Sequence, residues 1–180
     1  MIKNVTVFGG ANPKAGEVAY EEALHLGKLL GLAGYTVLTG GYVGTMEAVS
    51  RGAAESGAHV IGVTCDEIER WRSVRRNAWV QEERRYPTLR QRLYALIEGC
   101  DAALALPGGP GTLAEVAMMW NHLLTDAISP RPLILIGLGW KTTMEQLFQT
   151  FDGYIPENQR SWLTFVSDGE MAVEYLKLEM

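Results

Sequence analysis

Glu115 is the acid whose surroundings invite a chemical reading. It follows Pro107-Gly108-Gly109-Pro110-Gly111-Thr112, a turn-forming run after which a helix is predicted from Thr112 to Leu124. A carboxylate one turn inside a helix whose N-terminus faces a ligand can stabilise cationic character at a sugar carbon, or hold sugar hydroxyls. The same residues also spell a purely local device. Thr112-Leu113-Ala114-Glu115 has the pattern of a capping box, in which the two side chains satisfy orphan N–H groups. Pattern alone leaves both readings open.

Glycine is the second signal. The chain has twenty among 180 residues, a share above the usual ~7%. Three clusters each follow a predicted strand: Gly9-Gly10, then Gly40-Gly41 with Gly44, then Gly108-Gly109 with Gly111. The last two nearly repeat each other, as strand, Gly-Gly, a short spacer, Gly-Thr, helix. In a parallel sheet such turns lie at the carboxyl ends of the strands, where open α/β sheets bind ligands. Helix N-termini there offer free N–H groups and a positive dipole end. The candidate phosphate or nucleotide ligands are therefore Gly9, Gly10, Gly40, Gly41, Gly44, Thr45, Pro107, Gly108, Gly109, Gly111 and Thr112. No G-x-x-x-x-G-K-[ST] loop exists. Gly109 to Ala114 matches G-x-G-x-x-A only formally, because it follows the fourth strand and not the first.

Arginine is the third. Eight of the sixteen basic residues fall between Asp66 and Arg92, against five acids in the same span: Arg70, Arg72, Arg75, Arg76, Arg84, Arg85, Arg90 and Arg92. The whole chain carries −5. A local basic patch on an acidic protein suits a small phosphorylated ligand better than a long polyanion, so nucleic acid is not expected as a partner. A solvated, salt-bridged surface is the plainer reading of the same run. The three histidines, His25, His59 and His122, have no ligand spacing, and no metal site is expected. No nucleophile elbow appears.

The elements that must position these residues read as alternating strands and helices. Strands are predicted at Val5–Phe8, Tyr35–Thr39, His59–Val63, Ala102–Leu106, Leu133–Ile136 and Leu163–Val166. Between them run helices at Ala19–Ala33, Met46–Ser56, Pro87–Glu98, Thr112–Leu124, Lys141–Thr150 and Asp168–Leu178. Residues Thr64 to Tyr86 show little apolar periodicity and read as an irregular polar loop. The expected fold is one doubly wound α/β domain over residues 1–180, with a mostly parallel sheet flanked by helices on both faces. The apolar run at the N-terminus is too short for a signal peptide, and no stretch nears the ~18 residues of a membrane helix. Cys65 and Cys100 read as core residues of a reduced cytosol, so a cytoplasmic location is expected.

Pro107 to Glu115 resembles the P-G-G-x-G-T-x-x-E motif of the Lonely Guy (LOG) family. The likeness extends to Val7-Phe8-Gly9-Gly10-Ala11 and Gly40-Gly41-Tyr42-Val43-Gly44. It implies a Rossmann-like fold and a cytokinin riboside 5′-monophosphate phosphoribohydrolase activity, which cleaves the N-glycosidic bond of an adenosine-type 5′-monophosphate. It implies no cofactor; the family's inherited lysine decarboxylase label finds no pyridoxal phosphate site here. Glu115 and Arg92, fifteen residues before Pro107, correspond to the family's catalytic pair. The amides of Gly108, Gly109, Gly111 and Thr112 would hold the 5′-phosphate. Departures from the plant-type pattern, Arg90-Gln91-Arg92-Leu93 and Gly44-Thr45-Met46-Glu47, resemble a bacterial LOG-like branch and leave the base open. Molybdenum cofactor carriers of the same fold family supply the alternative of a non-catalytic binder. Met118, Met119, Trp120, Leu123 and Leu124 make the helix after Glu115 apolar nearly all round. Together with the dimers of LOG-like proteins, that implies a homodimer or higher homo-oligomer.

Overall fold

A computed structural model describes residues 2–179. In chain order the elements are β1 (Asn4–Phe8), α1 (Val18–Leu32), β2 (Thr36–Thr39), α2 (Thr45–Glu55), β3 (Val60–Cys65), α3 (Asp66–Trp71), β4 (Glu82–Tyr86), α4 (Leu89–Glu98), β5 (Ala102–Ala105), α5 (Pro110–Leu124), β6 (Leu133–Ile136), α6 (Leu138–Thr150), α7 (Glu157–Arg160), β7 (Leu163–Val166) and α8 (Gly169–Leu178). The seven strands form one sheet in the order β4-β3-β2-β1-β5-β6-β7, and each of the six pairings is parallel. This is a doubly wound α/β, Rossmann-like fold.

The central strands are almost entirely buried, with mostly apolar side chains, because both faces are covered. In β5, Ala102 and Leu104 face the layer of α1, α2 and α8, while Ala103 and Ala105 face that of α4, α5 and α6. The same alternation sends Val5 and Val7 of β1 one way and Phe8 the other. Strand order reverses between β1 and β5, so the turns after these strands diverge and leave a crevice at their carboxyl ends.

The expectation of an irregular loop from Thr64 to Tyr86 is overturned. The span contains α3 and the strand β4, paired parallel to β3 with Val63 opposite Arg84 and Cys65 opposite Tyr86. Apolar periodicity could not reveal it. Strand β4 reads Glu-Glu-Arg-Arg-Tyr and alternates only between half-buried and exposed. As an edge strand it is held by backbone pairing and by ion pairs such as Arg85 with Asp66 and Glu69, and its charges protect the open edge from further pairing. Helix α3 has no buried residue. The short helix α7 also has no predicted counterpart. Helix α6 begins at Leu138, not Lys141. Among the described residues no helix is long and apolar enough to cross a membrane.

Candidate functional site

The crevice holds a cavity of about 470 Å³. Gly9, Gly10, Ala11 and Asn12 enter it from the turn after β1, and Gly109, Pro110, Gly111, Thr112 and Glu115 from the start of α5. Tyr42, Val43 and Met46 come from the turn after β2 and the first turn of α2, and Leu89 and Arg92 from α4. Ile68 and Trp71 of α3, with Arg72 and Val74 after it, complete the lining.

Helix α5 starts two residues earlier than Thr112. Its N-cap is Gly109 and Pro110 occupies the first turn, with no side-chain cap. The predicted capping box is therefore a correction: Thr112 lies inside the helix, and Glu115 does not reach back to a cap. The first amides of a helix have no intrahelical acceptor, so Gly111 and Thr112 present theirs at the cavity, backed by the helix dipole. Proline at the start fixes the backbone there and removes no needed donor.

Glu115, released from capping, meets Arg92. The Arg92 Nη1 lies 3.6 Å from Glu115 Oε1, and both side chains are almost fully buried. Arg92 is held by two further contacts: Nε donates to the Val63 carbonyl at 2.8 Å and Nη2 to the Gly40 carbonyl at 3.2 Å. Its guanidinium also sits 5.7 Å from the Tyr42 ring centre. A helix residue of α4 is thus bolted to the ends of β2 and β3 before it meets the carboxylate. Burial pushes the Glu115 carboxyl from its ordinary 4.5 up to about 7, with Arg92 pulling the other way. Desolvation outweighs the ion pair because one cation at 3.6 Å, itself shared with two carbonyls, does not replace a hydration shell.

The three glycine turns do not play equivalent parts. Gly9 and Gly10 and the start of α5 line the cavity; Gly40, Gly41, Gly44 and Thr45 stand behind it. Thr45 donates its backbone N–H to the Gly10 carbonyl at 2.9 Å and its hydroxyl to the same oxygen at 3.1 Å. The amide at the start of α2 is therefore spent on the neighbouring turn, where a ligand was expected. Gly44 has φ +75° and a Cβ there would stand 2.6 Å from Ala11 Cα. A side chain at Gly40 would run into the Arg92 guanidinium and the Met46 sulfur. Pro107 and Gly108 line an adjoining groove with Leu113 and Trp140.

Residue types missed in the sequence complete the site. Tyr42 accepts the Cys65 N–H at 2.8 Å and donates to the Cys65 carbonyl at 3.1 Å, locking the turn after β2 to the end of β3. Asn77 donates Nδ2 to the Tyr42 carbonyl at 2.9 Å and its own N–H to the Gly41 carbonyl at 2.8 Å. It ties the segment after α3 to the same turn. The exposed pair Trp71-Arg72 was the readable signal, a large aromatic inside a basic run. Among the described residues no cluster of three or more His, Cys, Asp or Glu is placed to hold a metal ion.

The SLOG cluster4 family model matches residues 2–145. A "Cytokinin riboside 5'-monophosphate phosphoribohydrolase" of Rhodococcoides fascians is 30% identical over 137 residues, 74% of this chain and 67% of that protein. An Oryza sativa subsp. japonica protein, "Probable cytokinin riboside 5'-monophosphate phosphoribohydrolase LOGL5", is 34% identical over 67% of this chain but only 50% of its own length. Among solved structures, the molybdenum cofactor binding protein of the phototrophic bacterium Rippkaea orientalis superposes with a TM-score of 0.76 at 23% identity, covering 98% of this chain and 96% of that one. That likeness speaks for the fold. The signature at Pro107 to Glu115, the parallel sheet and the family match agree: the chain belongs to the SLOG cluster4 family, within the LOG family of Rossmann-like proteins.

Proposed function

We propose that the protein is a nucleoside 5′-monophosphate phosphoribohydrolase, acting on AMP or an N6-modified AMP and releasing the free base and ribose 5-phosphate. One observation carries this reading: the buried Arg92–Glu115 pair opens on the same cavity as the uncapped N-terminus of α5. Anion-binding amides and a carboxylate one helical turn apart match the two ends of a ribose 5-phosphate unit. The amides of Gly111 and Thr112 hold the phosphate, with Gly109, Gly9 and Gly10 letting it approach the backbone. Glu115 stabilises positive charge at C1′ as the bond to the base nitrogen breaks and its electron pair leaves with the base. Water then supplies hydroxide to C1′ and a proton to the base. Arg92 fixes the carboxylate and favours its ionised form.

Incubating the protein with AMP and with prenylated AMP, and assaying free base, tests the proposal. Release that disappears in Glu115→Gln supports it; no release at high enzyme concentration refutes it. Because Glu115 acts ionised, kcat/KM rises with pH through about 7 and levels above it. A second reading, a non-catalytic binder of a phosphorylated heterocycle such as molybdenum cofactor, is supported by the likeness to the Rippkaea orientalis protein. Native mass spectrometry of freshly purified protein separates the two, since a retained pterin without hydrolysis favours the binder. The reading includes a homodimer through the outer face of α5, where Leu113 is half exposed and Ala114 and Ala117 are exposed. Light scattering in solution tests that part.

A further inference from the structure

The cavity has two unlike sides. The first glycine turn, the start of α5, Arg92 and Glu115 supply charge and hydrogen bonds; Val43, Met46, Ile68, Trp71, Val74 and Leu89 supply apolar area. The Tyr42 hydroxyl adds nothing to that second side, being spent on both polar groups of the Cys65 peptide. Arg72, the exposed Asn12 and the Trp71 indole N–H add hydrogen-bonding capacity to that lining, and the Arg72 guanidinium stacks on the Trp71 ring at 4.3 Å from the ring centre. Trp71 ends a six-residue helix that buries none of its residues, and is itself 74% exposed. An indole so exposed contributes little to the core, yet it borders the cavity with one face already taken by a flat, delocalised cation.

We propose that Trp71 is the stacking platform for the planar heterocycle of the ligand, and that the site accepts nucleoside 5′-monophosphates without reading the hydrogen-bonding edge of the base. The proposal rests on the phosphoribosyl unit lying at Glu115 and the α5 N-terminus, as in the reading above; the base then projects to the apolar side. Stacking is tolerant of base identity because every base has a π-face. A pocket discriminates steeply only when its own buried polar groups are left unpaired by the wrong ligand, and the polar side chains beside the platform, Arg72 and Asn12, are exposed and not buried. In the complex the base takes the ring face that the guanidinium covers in the free protein.

Titration of AMP, GMP, CMP, UMP and ribose 5-phosphate, in a Glu115→Gln background that keeps the glycosidic bond intact, tests this. Trp71→Ala should weaken all four nucleotides by about tenfold and ribose 5-phosphate by less than about twofold, with Trp71→Phe recovering most of the loss. Quenching of tryptophan fluorescence by each nucleotide should vanish in Trp71→Phe. Arg72→Ala should leave the order of the four nucleotides unchanged. A preference beyond about a hundredfold for one base, a loss in Arg72→Ala confined to one base, or equal weakening of ribose 5-phosphate in Trp71→Ala overturns the proposal. Base release by otherwise unmodified protein is scored separately. Stacking without release leaves Trp71 in place and removes the hydrolase reading; release from a single nucleotide does the reverse.

Discussion

The two sides of the cavity are built from different physics. The glycine side is backbone against backbone: Gly44 presses on Ala11, Thr45 holds the Gly10 carbonyl, and Arg92 fills the space that Gly40 leaves. The opposite side, α3 with the segment up to β4, is a surface of ion pairs. Arg85 bridges Asp66 and Glu69, Arg76 bridges Glu83, and each of these arginines is about half exposed. Asn77 is its buried anchor to the sheet. One half is held by close backbone packing, the other largely by solvated ion pairs, which contribute little each. On the proposed reading, catalytic geometry belongs on the first and ligand preference on the second.

That contrast can be broken most severely at Gly44. Gly44→Ala puts a side chain into a left-handed backbone and against Ala11, and should cost about 3 kcal/mol or more in urea unfolding. Next comes Glu115→Gln. Burial raises the folded-state carboxyl from 4.5 to about 7, so between those pH values the native state binds a proton that the unfolded chain has lost. The wild type therefore loses stability as pH rises through that window, and the amide variant does not. The variant should gain about 3 kcal/mol on the wild type between about pH 4 and about pH 8, while base release is abolished. Unchanged relative stability over that range would mean that Glu115 is well solvated. Arg92→Met should raise the Glu115 pKa further in a carboxyl NMR titration, because the attraction of the guanidinium that lowers it is gone. Arg85→Ala marks the small end. It should shift the melting temperature slightly at low salt and not at all at high salt, since exposed pairs are screened.

How much of this was readable beforehand follows the same division. Strands β5 and β6 are continuous apolar runs, β1 and β2 are rich in Val and Thr, and all four announce themselves. Their glycine turns announce the sheet edge, and with it the crevice. Strand β4 is silent because an edge strand of Glu and Arg has no buried stripe to display. The Arg92–Glu115 pairing has no local signature either. The two residues sit on different helices, and only the likeness to a known motif joined them in advance. The capping box misled for a specific reason: Pro110 starts the helix early, which moves Thr112 from the cap to the interior. Of the three glycine turns, the second turned out to brace the first, a role that depends on how β1 and β2 pack and not on either turn alone.

The sequence by itself determined the alternation of strands and helices, the parallel sheet and the phosphate-suited start of α5, because those follow from local pattern and backbone freedom. Tertiary structure decided which amides stay free, which glycines line the cavity, and that Glu115 lies largely buried against Arg92 with its carboxyl pKa raised to about 7. Those properties depend on distance and desolvation between residues far apart in the chain. Neither quantity exists until the sheet has brought the ends of β1, β2, β3 and β5 together.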